Sequence, residues 1–453
     1  MKKKKEEVVE TTDKEKKKRE KKTKEEKLAL KDAKRIKIKE EKAARKEAKQ
    51  EEKNAKKNMT KEEKKALKEA RKKKAKEEKD AKKNMTEEEK KALKETKRKT
   101  KKRIRLKISF FTILIFLMDL CVIAGLYVIH TEGFKTFWIP SAMTTMTHQY
   151  LAYTLYNEDE VNRIMSENYI ETPSEEVNLD DIVINEGDLF SKRYTNKYDK
   201  EIFTKTPGND VYKLIRINES KYKGWLTVIY DPSDVELAVS SKLGRSGQSV
   251  NTLVRENGGL VGINGGGFED LDGWGNGSIP YGAIIQDGQI IWEHGGGWGS
   301  LIGFNKDHKM VLTYQSPQEA VQNGMVDAVD FGPFLIINGN VSRIHGDGGW
   351  GTAPRSIIAQ RKDGVVLFLI IDGRMPGYSI GATMNDVIEI LQHYKAYNAA
   401  NLDGGASTTM SVNGSLWNNP YAGGEYGGRT VSNAWIVTNK QNKAVTIPNK
   451  NDY

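Results

Sequence analysis

The stretch GVVLFLIIDG, residues 364–373, sets seven apolar side chains in a row between the turn pairs Asp363-Gly364 and Asp372-Gly373. So short an apolar run, closed at both ends by turn residues, reads as a strand. Runs of the same kind lie on either side: GWLTVIYDP (224–232), GGLVGING (258–265) and YGAIIQDGQIIWE (281–293). Asp287-Gly288 and Asp363-Gly364 each stand between two such runs, as hairpin turns do. Helix-like segments are few: Gln248 to Asn257, Ser316 to Asn323, and Thr383 to Asn398, the last with Met384, Val387, Ile388 and Leu391 at helical spacing. Strands and helices do not alternate regularly, which argues against a doubly wound parallel sheet. The fold class expected is α+β, with mixed β-sheets and few helices in a domain spanning residues 206–440, followed by a tail at 441–453.

N-terminal to that domain the chain changes character. Its net charge of +12 is an average of two unlike parts. Residues 1–107 hold 48 Lys/Arg against 24 Asp/Glu, and the remainder holds 26 against 38. The basic part is +24 and the rest −12, so attraction to anionic partners belongs to the arm alone. Residues 1–103, rich in Lys, Glu and Ala, lack the apolar content for a core and are expected to be helical or disordered. The motif AKKNMT(K/E)EEKKALKE begins at Ala55 and again at Ala81, and each copy has a Thr followed three residues on by Glu, a capping box.

Between arm and domain, residues 108–129 read ISFFTILIFLMDLCVIAGLYVI, long enough to cross a hydrocarbon layer of ~30 Å as a helix. Asp119 is its one charge; at ~2.5 to 3.5 kcal/mol it is outweighed by fourteen Leu, Ile, Phe and Val residues at ~0.3 to 0.6 kcal/mol each. Eight Lys and Arg residues crowd positions 97–107, so a transmembrane helix at 106–129 is expected with its N-terminus cytosolic and those basic residues near the anionic inner leaflet. The domain is then extracellular, on a stalk or linker at 131–205 that carries one amphipathic helix, Ser141 to Ile170. No nucleic-acid partner is expected. The only cysteine, Cys121, lies in the apolar run, which excludes an intrachain disulfide.

Five glycine-rich junctions follow apolar runs, where backbone can approach a ligand closely. They are NGGGF (264–268), FGPF (331–334), Pro354-Arg355-Ser356, Asp372-Gly373-Arg374 and NLDGGAST (401–408). Each by itself is compatible with a plain turn. In their order, GINGGGF, FGPFLIINGN, GDGGWGTAPRSIIAQRKDG, LFLIIDGR, GATMND and NAANLDGGASTTM, they resemble the phosphodiester glycosidase family, from about Val211 to Val437, in a membrane-anchored layout similar to its exopolysaccharide-biosynthesis branch. Ala406 stands where that family usually has a third Gly, and Gly267 where it has a second aromatic residue.

The resemblance implies a hydrolase acting on a sugar linked through phosphate, a phosphodiester-linked sugar or surface glycopolymer, with water attacking the anomeric carbon. Phosphate leaves readily, so charge management matters more than protonation of the leaving group. Asp403 and Asp372 are the candidate catalytic carboxylates, and Arg355 and Arg374 the candidate phosphate clamps. Asn264, Gly265, Gly266, Gly404, Gly405 and Ser407 complete the expected substrate-binding set, with Arg429 a lesser candidate. No cofactor and no metal is expected: His294, His308, His345 and His393 stand far apart without ligand spacing, and Asp270 with Asp272 reads as a polar loop before it reads as a Ca²⁺ site. The rival reading is a non-catalytic carbohydrate-binding module, with Trp274, Trp292, Trp298, Trp350 and Trp417 as stacking faces.

Overall fold

The structure, a computed structural model, describes residues 60–145, 148–184, 194, 196–270, 275–295, 297–423 and 428–453. The arm before Thr60, Asp272, Trp274 and most of 185–195 lie outside the described residues. Two compact units divide the chain, Met1–Asp119 and Leu120–Tyr453.

In the first unit, helix Lys61–Lys83 starts on Thr60, whose hydroxyl accepts from the Glu63 amide while the Glu63 carboxylate accepts from the Thr60 amide. Thr86 and Glu89 form the same reciprocal pair ahead of helix Glu87–Ile129. Both capping boxes of the repeat are therefore present. The second helix, 43 residues long, carries the apolar run and is long and apolar enough to cross a membrane.

The second unit is built on three antiparallel sheets, which is α+β as expected. The sheets are not mixed: every strand pairing among the described residues is antiparallel. With few helices to carry right-handed crossovers, strands join through hairpins and long loops instead. The central sheet runs edge to edge through Asn340–Val341, Phe334–Ile337, Ala396–Asn401, Arg355–Arg361, Val366–Ile371, Lys223–Ile229 and Tyr212–Asn218. A second sheet orders Ser415–Leu416, Met410–Val412, Val261–Asn264, Asn433–Val437 and Val235–Val239. A third orders Met310–Thr313, Leu301–Asn305, Met325–Asp330, Gly282–Gln286 and Gln289–His294.

The unbroken apolar run at 365–371 has a simple cause. Val366, Phe368 and Ile370 face a core shared with the other two sheets, among them Ile263, Ile302, Val329 and Trp435. Leu367, Leu369 and Ile371 face the opposite way, onto Ile202, Val387 and Leu391 of two helices. A strand covered on both faces has no solvent side and needs no alternation. Hairpins close at both expected turns, with Asp287 at φ 53°, Gly288 at 71° and Gly364 at 87°.

Two helical expectations are corrected. The helix from Thr383 stops at His393, because Lys395 turns to φ 57° and Ala396–Asn401 pairs as an interior strand. The single helix over 141–170 is instead Tyr150–Leu155 and Glu158–Glu167, interrupted by Asn157, whose side chain caps the second by accepting from the Glu160 amide.

The segment read as a stalk is folded over much of its length. Helix Glu132–Met143 packs with these two around Ile139, Ala142, Ala152, Val161 and Ile164. Ile170–Glu171 then pairs with Arg343–Ile344, the Asp347 amide donates to Asn168 at 2.8 Å, and the Tyr169 and His345 rings stack at 4.2 Å.

Candidate active site

The junctions singled out in the sequence meet because the strands they terminate end at one rim. Asn264 closes a strand of the second sheet, Asp330 closes one of the third, Arg355 opens a central strand, and Asp372 and Leu402 follow two others. The Leu402 amide donates to Ser356 at 2.8 Å and the Gly405 amide to Pro354 at 3.0 Å, which fixes the Asp403 loop against the Arg355 strand.

At that rim is a cleft of about 680 Å³, within the usual range for a small-ligand site. Asp403, Gly404, Gly405, Ser407, Arg355 and Arg374 line it, as do Phe268, Tyr281, Trp298, Phe331, Trp350 and Tyr421. Burial pushes the Asp403 carboxyl up to about 6, against the opposing pull of a hydrogen bond from Ser407 and the charge of Arg429. It is thus a carboxylate that is ionised at neutral pH yet basic enough to take a proton.

The two arginines supply positive charge by different means. Arg355 is buried, its Nε donating to Ala382 O at 3.1 Å and one terminal nitrogen to Trp350 O and Gly351 O at 2.8 and 2.6 Å. These hydrogen-bond partners are neutral carbonyls, and Asp347 and Asp386 offset the charge only in part. Burial and the neighbouring Arg374 hold Arg355 well below the usual guanidinium value. Arg374 has φ 58°, an uncommon conformation for a side-chain-bearing residue, and its guanidinium lies over the Tyr421 ring at 5.5 Å. A methyl group on Gly405 would stand 3.4 Å from the Arg374 terminal nitrogens, so glycine leaves that side of the guanidinium open.

Four expected members lie elsewhere. Asn264 is fully buried: its Oδ1 accepts from Ser356 Oγ at 2.7 Å and the Thr409 amide at 3.1 Å, and its Nδ2 donates to Asp403 O at 2.5 Å. It braces the Asp403 loop and has no surface left for sugar. Gly265 and Gly266 are also buried; a Cβ on Gly265 would overlap the Asn433 amide, whose oxygen accepts from the Gly266 amide at 2.8 Å. Asp372 accepts from Asn418 Nδ2 at 2.9 Å, Tyr378 Oη at 2.9 Å and the Asn419 amide at 3.1 Å. It pins two loops behind the cleft, and burial raises its pKa.

Further residues line the cleft, some of them named in the sequence for other roles. Trp298 and Trp350, singled out as stacking faces, stack on each other at 5.4 Å at the cleft wall, and Trp298 remains 53% exposed. The Asp330 carboxylate accepts from the Trp298 and Gly299 amides at 2.9 and 3.1 Å and so sets that loop. Trp417 is buried, and Trp292 donates to Pro280 O. Asp270 forms a close ion pair with Arg429, whose guanidinium also covers the Phe268 ring at 4.6 Å. Thr144, Thr145 and His148 reach the cleft from the segment read as a stalk; nothing in their composition marks them as site residues.

Residues 257–438 match the family model described as phosphodiester glycosidase. One similar protein is N-acetylglucosamine-1-phosphodiester alpha-N-acetylglucosaminidase from Mus musculus, 26% identical over 156 residues. That alignment takes in 31% of this chain and 30% of the relative, so the chain spans under a third of that protein's length. Among solved structures, the catalytic domain of the zebrafish enzyme of the same name, auto-inhibited by its pro-peptide, is similar at a TM-score of 0.42 and 21% identity, over 52% of this chain and 85% of that one. A hypothetical protein from Synechocystis aligns at 0.36 and 17%, over 50% and 61%.

Proposed function

We propose that the chain is a membrane-anchored hydrolase that cleaves a glycosyl-1-phosphodiester on the outer side of a cell membrane, in surface or exopolysaccharide metabolism. The observation that carries this is Asp403, a carboxylate of raised proton affinity, recessed in an aromatic-walled cleft beside two guanidiniums. Arg374 and Arg355 attract the phosphodiester, with Arg374 presenting the more open guanidinium. The indoles and Tyr281 offer flat faces to a sugar ring. Asp403 takes a proton from water as the water oxygen bonds to the anomeric carbon. The bond from that carbon to the phosphate oxygen breaks, its electron pair leaves with the phosphomonoester, and free sugar is released. Asn264 and Asp372 act in this scheme as positioning residues.

The span at 106–129 supplies the anchor, with the basic cluster at 97–107 on the anionic cytosolic leaflet. A carbohydrate-binding module needs the aromatic faces but not a carboxylate of raised proton affinity at their base, which favours the enzyme.

Hydrolysis of an N-acetylglucosamine 1-phosphodiester in ¹⁸O water is expected to put label in the sugar, and label in the phosphate would refute the mechanism. Asp403→Ala should reduce kcat by about 10²- to 10⁴-fold with a smaller effect on substrate binding. A variant within a few-fold of wild type would return Asp403 to a structural role.

A further inference from the structure

We infer that the cleft is held at the membrane surface and that its substrate is a glycosyl phosphodiester whose alcohol component is itself anchored in that membrane. This rests on the glycosidase reading and on insertion of the apolar run, and adds the substrate class.

The argument begins with reach. As an extended stalk, residues 131–205 would let the domain stand up to about 250 Å from the bilayer. The folded segment does not allow this. The helix bearing the apolar run ends at Ile129, where the carbonyl accepts from Tyr156 Oη at 2.6 Å. Thr131 Oγ donates to Val128 O and accepts from the Phe134 amide, so the next helix starts at once. That helix, Glu132–Met143, is about 18 Å long at 1.5 Å per residue. Thr144 and Thr145 at its end already line the cleft. The cleft's lip is therefore within about 30 Å of Ile129, whichever way the helix runs.

The tether is also braced. Lys135 joins Glu160 at 2.7 Å, and Arg163 joins Glu132 and Glu160 at 2.9 and 2.8 Å, locking the first helix to Glu158–Glu167. Residues 168–171 then pair with the domain at Arg343–Asp347. Outward-facing Phe137, Tyr150, Tyr153 and Leu155 are each 41 to 59% exposed on these short helices. Aromatic side chains on elements that directly follow a membrane span suit the headgroup layer. A site tethered this closely meets lipid-anchored molecules at high local concentration, and free solutes only by diffusion from bulk.

The test uses full-length protein in phosphatidylcholine vesicles and one headgroup, N-acetylglucosamine 1-phosphate, esterified three ways: to dioleoylglycerol in the same vesicles, to dioleoylglycerol in separate vesicles, and to methanol in solution. At equal bulk concentration the same-vesicle ester should turn over at least tenfold faster than either of the others. A second protein carries thirty Gly/Ser residues inserted between His130 and Thr131, adding about 30 Å of flexible reach. It should keep wild-type activity on the methyl ester, which shows that it folds, and lose most of the same-vesicle advantage. Equal rates on all three esters, or an advantage that survives the insertion, overturn the membrane-surface substrate and leave the glycosidase reading intact. No turnover of any ester removes the glycosidase reading, and this proposal with it.

Discussion

Asp403 illustrates how a single carboxyl group couples chemistry to pH. Its folded pKa, about 6, lies above the ordinary 3.8 because burial disfavours the charge, with Ser407 opposing. Turnover that needs the carboxylate should rise with pH and level off above about 6. Ser407→Ala removes the opposing hydrogen bond and should move that limb to higher pH, a shift measurable in kcat/KM profiles. The linked effect on stability has a definite sign: a carboxyl with a raised folded pKa destabilises the native state when ionised. Wild type should therefore lose stability relative to Asp403→Asn as pH climbs from about 3.8 through 6, and the two should converge below 3.8. A flat activity profile and parallel stability curves would both contradict the assignment. Motif order in the sequence named Asp403, Arg355, Arg374, Gly404, Gly405 and Ser407 together, and all six line one cleft. It could not tell that Asn264 and Asp372 face into the protein, because direction at a strand end depends on which neighbouring loop supplies hydrogen-bond partners.

Among the elements, interior strands were legible because burial on both faces writes an unbroken apolar run. The helices at 132–167 were legible only in part, as one amphipathic stretch at 141–170, since five buried side chains among many polar ones form their core and so small a cluster does not mark where each helix begins and ends. The contact that seats them is specific. Gly351, at φ 57°, packs so closely on Ser141 that an added Cβ would sit 2.7 Å from its Cα. Backbone on both sides leaves no flexible atom to give way. Gly351→Ala should lift helix Glu132–Met143 from the cleft, speed proteolysis within 132–184 by about an order of magnitude, and raise KM. Gly377 has φ 87° with open space around it, so Gly377→Ala carries comparable backbone strain of about 1–2 kcal/mol without the collision. Equal proteolysis of the two variants would mean that strain, and not the contact with Ser141, is what matters.

At the level of the whole molecule, opposite charges are segregated along the chain, +24 before residue 108 and −12 after it, and the composition of each part announced that division. The path of the strands was not announced, because pairing partners are chosen by shape across long separations. The second sheet is the clearest case: Asn433–Val437 lies between Val261–Asn264 and Val235–Val239, bonded to both. Its Trp435 and Val437 enter the main core beside Ile263 and Phe304. A chain ending at residue 430 should stay protease-sensitive throughout 206–430, whereas the full chain resists; a resistant truncated product would show that the strand is dispensable. Biosynthesis delivers that strand some 170 residues after one of its neighbours and about 200 after the other. Until it emerges, those two present unpaired edges to whatever is near. The growing polypeptide must therefore be kept from sticking from the emergence of Val235–Val239 until Asn433–Val437 has followed it, and the domain can close only then.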